Sequence, residues 1–268
     1  MDILKRELAP ITEGAWNLIE AEARRTLQAD LSARKLVEVD APRGFDFAAV
    51  NLGRLTVPKK QPDDGVRVGV RQVQPLVEAR AQFRLDLWEL DNAERGAADV
   101  DLRAVSTAAR ALARFEEQAV YRGFGPGSIK GLAEASSHEP VRLGGDPQSY
   151  LEAVARGILT LRNANVGGPF ALALGPEPYR LVEGECSSYP LIKRLAAVLQ
   201  GPVVYAPFID GGFLLSTRGG DFQLVLGQDM SVGYEAHDTR TARLYLGESF
   251  TFRVLEPAAV VPLAFDAP

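Results

Sequence analysis

The sequence predicts an α+β protein in which a projecting β-hairpin stands beside a long helix, and three observations carry that reading. Two segments keep the 3.6-residue apolar period of a helix packed on one face, around Trp16 to Leu27 and around Leu102 to Ala119. Two alternating runs flank Pro58-Lys59-Lys60-Gln61-Pro62-Asp63-Asp64-Gly65, which has the residue chemistry of a turn. From Gly211 onward short alternating segments follow one another closely, after a region in which helical and strand patterns take turns.

Taken in order, Thr12 is a helix cap, and Trp16, Ile19, Ala23 and Leu27 recur at helical spacing, so a helix is expected from Glu13 to Ala29. Its apolar face either packs on its own domain or receives a partner. Strands are expected from Leu52 to Val57 and from Val66 to Val73, with Val66, Val68 and Val70 on one side and Arg67 and Arg71 on the other. A two-stranded hairpin is marginal alone in water, so this one is expected to lie against something else, a neighbouring subunit included. Alternation resumes from Ala79 through Leu87 and stops at Trp88, where LDLWELDNAERG hands a strand over to a short polar helical element ending at Gly96. Asp101 is expected to cap the next helix, whose buried face runs Leu102, Val105, Ala109, Leu112, Phe115, Ala119 until Gly123 stops it.

Further on, Asp146-Pro147 is a cap and first-turn pair for a helix carrying Tyr150, Leu151, Val154, Ile158 and Leu161. Pro169 to Gly175 reads as a buried strand, Tyr189-Pro190 opens a short helix, and Val203 to Ala206 is a second strand. Four more strands are expected at Phe222 to Leu226, Ser231 to Glu235, Ala242 to Leu246 and Phe250 to Leu255.

Composition narrows the function. A chain of 268 residues with 46% hydrophobic side chains can build a sizeable core. Its longest apolar runs are far too short to span a bilayer, and charges occupy the start where a signal peptide needs an apolar stretch, so the expected location is the cytoplasm. One cysteine excludes an internal disulfide, and with His138 and His237 as the only histidines there is no basis for a zinc site. The net charge of −5 opposes broad nucleic-acid binding.

Catalytic constellations are missing. There is no G-x-S-x-G elbow, and adjacent His237 and Asp238 do not by themselves orient one another as a triad requires. Gly123-Phe124-Gly125-Pro126-Gly127 follows a helix and lacks the lysine and hydroxyl ending of a phosphate loop. Neither histidine has a glutamate three residues before it, which excludes the di-iron pattern of a helical bundle. Glu116-Glu117 is abundance and not a site. Trp88 reads as a packing anchor, with stacking on a planar cofactor such as a flavin as the competing reading; no cofactor is otherwise expected. A full-sized core, a projecting arm and no catalytic centre together describe a protein built to contact copies of itself.

At this point the sequence resembles the encapsulins, bacterial and archaeal shell proteins with the fold of tailed-phage major capsid proteins. The resemblance is carried by LKRELAPITEGAW, RGFDFAAVNLG, PLVEARAQFRLDLWELDNAERG, GSIKGL, RGGDFQLVLGQDMSVGYEAHD and ESFTFRVLEP, collinear over nearly the whole chain. It implies an extended loop over residues 51–74, an axial domain over 132–226, and a peripheral domain from 1–50, 75–131 (with the spine helix) and 227–268. It further implies self-assembly, with about sixty copies in the smallest icosahedral form, and a lumen enclosing a cargo enzyme, either a ferritin-like iron-storage protein or a dye-decolourising peroxidase with a role in oxidative stress.

By the same resemblance, the cargo's C-terminal tail docks on a surface drawing on Leu27, Arg34, Glu38, Met230, Val232 and Tyr234, with Arg34 as the polar fix; core packing is the competing reading for each. The loop Glu183, Gly184, Glu185, Cys186, Ser187, Ser188 and Tyr189 is placed at the fivefold pore, where acidic rings favour small cations; a solvated loop is the competing reading. Cys186 departs from the family pattern and is otherwise a small inert side chain. The charges of LDLWELDNAERG are expected to pair within or between subunits. Two alternatives stand beside the shell: a phage major capsid protein enclosing DNA, against which the acidic balance and a folded pattern beginning by Thr12 speak, and a secreted protease or bacteriocin, against which the missing secretion signal and triad speak.

Overall fold

The computed structural model describes residues 3–62, 65–184 and 190–265. In chain order the elements are α1 (Glu13–Asp30), β1 (Glu38–Val39), β2 (Ala49–Thr56), β3 (Val70–Pro75), β4 (Val77–Asp86), α2 (Leu87–Glu94), α3 (Arg103–Tyr121), α4 (Leu132–Ala135), β5 (Val141–Leu143) and α5 (Pro147–Asn163). They continue with β6 (Phe170–Leu174), α6 (Pro176–Glu183), α7 (Leu191–Leu199), β7 (Val203–Tyr205), β8 (Gly212–Ser216), β9 (Phe222–Leu226), β10 (Ser231–His237), β11 (Thr241–Val254) and β12 (Val260–Phe265).

Thr12 caps α1 as its sequence implies, its hydroxyl accepting the Ala15 N–H at 3.2 Å. Ala15, Trp16, Ile19 and Ala23 then bury one face of α1. That face meets Val105, Ala109 and Leu112 of α3, and Phe83, Leu244 and Leu246 of the sheet beneath complete the cluster. This sheet runs β1-β9-β11-β10, with β4 also paired to β11. The two strands expected at Ala242–Leu246 and Phe250–Leu255 are one strand, β11. Gly247-Glu248-Ser249 looks like an interruption in sequence, but Gly247 pairs with both Ser231 and Arg80, so the ladder runs through it.

A second sheet runs β5-β12-β8-β6-β7 and carries α5, α6 and α7. Asp146 caps α5 in a capping box with Ser149, and every residue of β6 is buried, as the continuous apolar run requires. The element α6 was not legible, because its eight residues hold two prolines and too few turns to show a period. The sheet boundary does not follow the expected division at residue 226: β9 belongs to the first sheet, and β12, from the far end, lies in the second. The helix α3 ties the two together, since Tyr121 at its end stacks on Phe213 of β8 with centroids 5.2 Å apart.

Two details of α3 and the arm differ from expectation. The cap position of α3 is Leu102; Asp101 stands one residue earlier, where its carboxylate accepts the Arg103 N–H at 3.1 Å. In the arm, β2 pairs only with β3 among the described residues, and β3 begins at Val70 instead of Val66. Pro58 and Pro62 have no N–H to extend the ladder. The Gln61 side chain substitutes for it, accepting the Val68 N–H at 2.7 Å and donating to the Pro58 carbonyl at 2.8 Å. Leu55, Val57, Val66, Val70 and Val73 are left exposed on this arm.

A groove along the first helix

The second half of α1 forms one wall of a groove of about 690 Å³. Because Ala23, Leu27 and Leu31 share a helical face, they present an aliphatic stripe. Met230, Val232 and Leu246 face it from β10 and β11, and Leu4 and Arg6 close one side. That N-terminal segment is tied down: the Leu4 carbonyl accepts the Tyr234 N–H at 2.8 Å, and Arg6 pairs with Glu20 at 2.6 Å while its guanidinium lies 4.3 Å from the Trp16 ring centre.

Four of the six residues expected to form a docking surface, Leu27, Arg34, Met230 and Val232, line this groove. Glu38 does not: it sits on β1 and accepts the Gly220 N–H at 2.9 Å, which engages it in holding a turn. Tyr234 is not among the lining residues either, and its hydroxyl is 2.6 Å from His237 Nδ1.

Arg34, expected as the polar fix of a docked tail, has its guanidinium engaged within the subunit. It donates to both carboxylate oxygens of Glu116 (Nε at 2.8 Å, Nη2 at 2.5 Å) and to Asp229 at 2.8 Å, and lies 3.4 Å from Glu248. Glu116 and Glu248 are wholly buried, and Arg34 is 17% exposed. Burial works against the charge on Arg34, yet Glu116 and then Asp229 hold its pKa far above the ordinary value.

One cation thus faces three carboxyl groups. Burial, and then the neighbouring Glu116 charge, push the Glu248 carboxyl well above its ordinary range. Beside this network, the Glu117 carboxyl accepts from the Ser32 hydroxyl and, at 2.8 Å, from the Ala33 N–H; Ser32 Oγ is in turn 2.9 Å from the Tyr121 hydroxyl. Burial raises Glu117 to about 7. Glu116, set aside in the sequence as mere abundance, and Glu248, which the sequence does not single out, are the buried carboxyl groups that hold Arg34 at the groove. A signal for Glu116 existed, since it falls on the apolar stripe of α3 four residues after Leu112 and three before Ala119.

The other expected site residues lie elsewhere. Glu183 ends α6 in an exposed position, and the Gly184 N–H closes that helix on the Arg180 carbonyl at 2.9 Å; Glu185, Cys186, Ser187, Ser188 and Tyr189 fall outside the described residues. Trp88, read as a packing anchor, is 76% exposed, because in α2 the buried position is Leu90, on the opposite face. The charges around it pair within the subunit: Asp86 caps α2, and Glu89 accepts from Asn92 at 2.9 Å and from the Asp101 N–H at 2.8 Å. Asp238 spends its carboxylate on the Arg240 and Thr241 N–H groups, both at 2.8 Å, so it does not serve His237. Among the described residues no helix is long and apolar enough to cross a membrane, and no cluster of His, Cys, Asp and Glu is arranged to hold a metal ion.

Comparison with known proteins identifies the family and the fold. Residues 1–251 match the Linocin_M18 family, described as an encapsulating protein for peroxidase. The type 1 encapsulin shell protein of Rhodospirillum rubrum is 43% identical over 270 residues, covering 98% of this chain and 96% of that one. The corresponding shell protein of Mycolicibacterium paratuberculosis is 42% identical over 264 residues, covering 98% and 99%. In fold, the chain superposes on a virus-like particle protein from Pyrococcus furiosus with a TM-score of 0.65 at 19% identity, covering 92% of this chain and 98% of the other. It also superposes on the capsid protein of a native GTA particle with a TM-score of 0.55 at 16% identity, covering 88% and 90%. The fold is therefore that of the tailed-phage capsid proteins, and the chain belongs to the encapsulins, as a shell protein of a capsid-like particle and not an enzyme.

Proposed function

We propose that about sixty copies of this chain close into a hollow icosahedral compartment, in the cytoplasm, around a cargo enzyme whose C-terminal tail docks in the groove along α1. The observation that carries the docking reading is the meeting of Leu27, Met230 and Val232 in one cleft that the fold leaves open. A short extended segment with aliphatic side chains fits such a cleft, burying those side chains against the helix stripe. The family's description as an encapsulating protein for peroxidase favours a dye-decolourising peroxidase as cargo, ahead of a ferritin-like iron oxidase. On this reading β2 and β3 are the extended loop, the second sheet and its helices are the axial domain, and the loop that follows Glu183 borders a pore for small substrates and ions.

Leu27→Asp places a charge in the aliphatic stripe and is expected to leave particles intact while lowering the cargo-to-shell ratio at least tenfold, measured by mass spectrometry of purified shells from the native host. Full loading of that variant would remove the groove from cargo recruitment. Separately, shortening the arm by deleting residues 59–64 is expected to leave subunit unfolding unchanged while raising the concentration needed for assembly. The exposed Leu55, Val57 and Val70 have apolar surface to bury only against a neighbour. Light scattering across a dilution series checks this, and equal particle yield at every dilution would refute it.

A further inference from the structure

The tyrosines among the described residues differ in what their hydroxyl groups face. Tyr121 is 2.9 Å from the Ser32 hydroxyl, while Tyr150 and Tyr245 donate to the Pro178 and Ile3 carbonyls at 3.3 and 3.4 Å. A hydroxyl or an amide carbonyl shares a proton but is too weak a base to keep one. Tyr179 and Tyr205 have their rings 5.2 Å apart and make no side-chain hydrogen bond among the described residues. Tyr234 faces a nitrogen base: its hydroxyl is 2.6 Å from Nδ1 of His237.

A break in the strand builds this pair. In a regular strand, residues three apart point to opposite faces. In β10 the register against β11 shifts between Tyr234 and Ala236, so that Tyr234 pairs with Leu244 and His237 with Ala242, two residues apart on one face of β11. The extra residue thus turns both rings to the same side, with centroids 5.9 Å apart. The Tyr234 ring is half-buried against the cluster beneath α1, and His237 is exposed. Asp238 is spent on the Arg240 and Thr241 N–H groups, which leaves the imidazole to Tyr234. A phenol O–H is a better donor than a neutral imidazole N–H, so Tyr234 donates and Nδ1 accepts.

We infer that Tyr234 is a redox-active tyrosine, oxidised by one-electron oxidants of the class of high-valent haems and peroxide-derived radicals, with His237 as its proton acceptor. One electron passes from the phenol to the oxidant. The O–H bond breaks as an N–H bond forms on Nδ1, leaving a neutral phenoxyl radical beside an imidazolium. A thiolate that returns one electron, itself becoming a thiyl radical, lets the proton go back to the oxygen. Losing an electron makes a phenol strongly acidic, and a base already at hydrogen-bond distance takes the proton without any rearrangement. Tyr245, across from Gly233 on β11, is placed the other way: the Arg80 guanidinium lies 4.5 Å over its ring and opposes a further positive charge there. Neither the groove nor the cargo enters this assignment.

The test uses the full-length protein, oxidised by flash-generated tris(bipyridine)ruthenium(III) and frozen rapidly, with the tyrosyl radical read by electron paramagnetic resonance. Tyr234→Phe is expected to lower the signal about tenfold, a modest share of what a positioned base contributes to proton transfer. Tyr205→Phe, which removes a ring that is 42% exposed, is expected to leave the signal unchanged. His237→Ala is expected to lose as much signal as Tyr234→Phe and to regain it when free imidazole is added. Circular dichroism of each variant reports that the fold is kept. A signal that survives Tyr234→Phe and falls in Tyr205→Phe would show that oxidation follows exposure, and would overturn the assignment. Loss in His237→Ala with no recovery in imidazole would make His237 a support for the tyrosine and overturn its part as proton acceptor. A full signal in His237→Ala would overturn that part as well, and a wild-type protein that gives no tyrosyl signal would overturn the whole.

Discussion

Arg34→Ala is expected to cost the subunit about 3–5 kcal/mol, the scale seen when one partner of a buried ion pair is removed. The substitution strands Glu116, which is wholly buried and takes two of its hydrogen bonds from this guanidinium. Arg34→Lys keeps the charge but loses the planar fork, so an intermediate loss is expected. Arg34→Met/Glu116→Gln/Glu248→Gln removes the charges together and should recover most of the stability, because the cost lies in leaving carboxylates unpaired and not in the absence of the pair. Urea unfolding followed by tryptophan fluorescence reads all three variants. A loss below about 1 kcal/mol for Arg34→Ala would show that water reaches Glu116 and that the floor of the groove is softer than its burial implies.

The second large effect is a decline in stability as pH rises. Burial lifts the Glu117 carboxyl from its ordinary 4.5 to about 7. Below the ordinary value both folded and unfolded chains hold this proton, and the stability is fully present. Between the two values the unfolded chain releases it and the folded chain keeps it, so stability falls with rising pH, by up to about 3 kcal/mol in all, and levels off above the folded pKa. Glu248 is raised too, by burial and then by Glu116, and adds to the decline in the same direction. Glu117→Gln is expected to flatten melting temperature against pH from about pH 5 to 7. A Glu117→Gln curve as steep as wild type would show that Glu117 is ionised in the folded protein.

Much of this was legible in the sequence. The long helices announced themselves through their periods, the caps at Thr12 and Asp146 through residue chemistry, and the family through collinear stretches. What stayed hidden has physical reasons. Strands such as β1, with two residues, and β5, with three, are too short for alternation to register, and β12 contains Pro262, which argues against an interior strand when read alone. In the candidate site, the aliphatic residues Leu27, Met230 and Val232 were named through the family resemblance, not from their own pattern, and they line one groove. The internal partners of Arg34 were not legible because they are distant in sequence: 82 residues separate it from Glu116, 195 from Asp229 and 214 from Glu248. Glu38 had the right composition and the wrong neighbour, a backbone turn at Gly220.

The position of β12 bears on how the protein is made. Paired with β5 on one side and β8 on the other, it is an interior strand of the second sheet. During synthesis, β5 waits more than a hundred residues for the strand that joins it to that sheet, while α1, α3 and β4 emerge far earlier. The second sheet therefore closes only after Phe265 has cleared the ribosome, and a nascent chain stalled before Val260 would hold an unfinished edge that other unfinished chains can pair with.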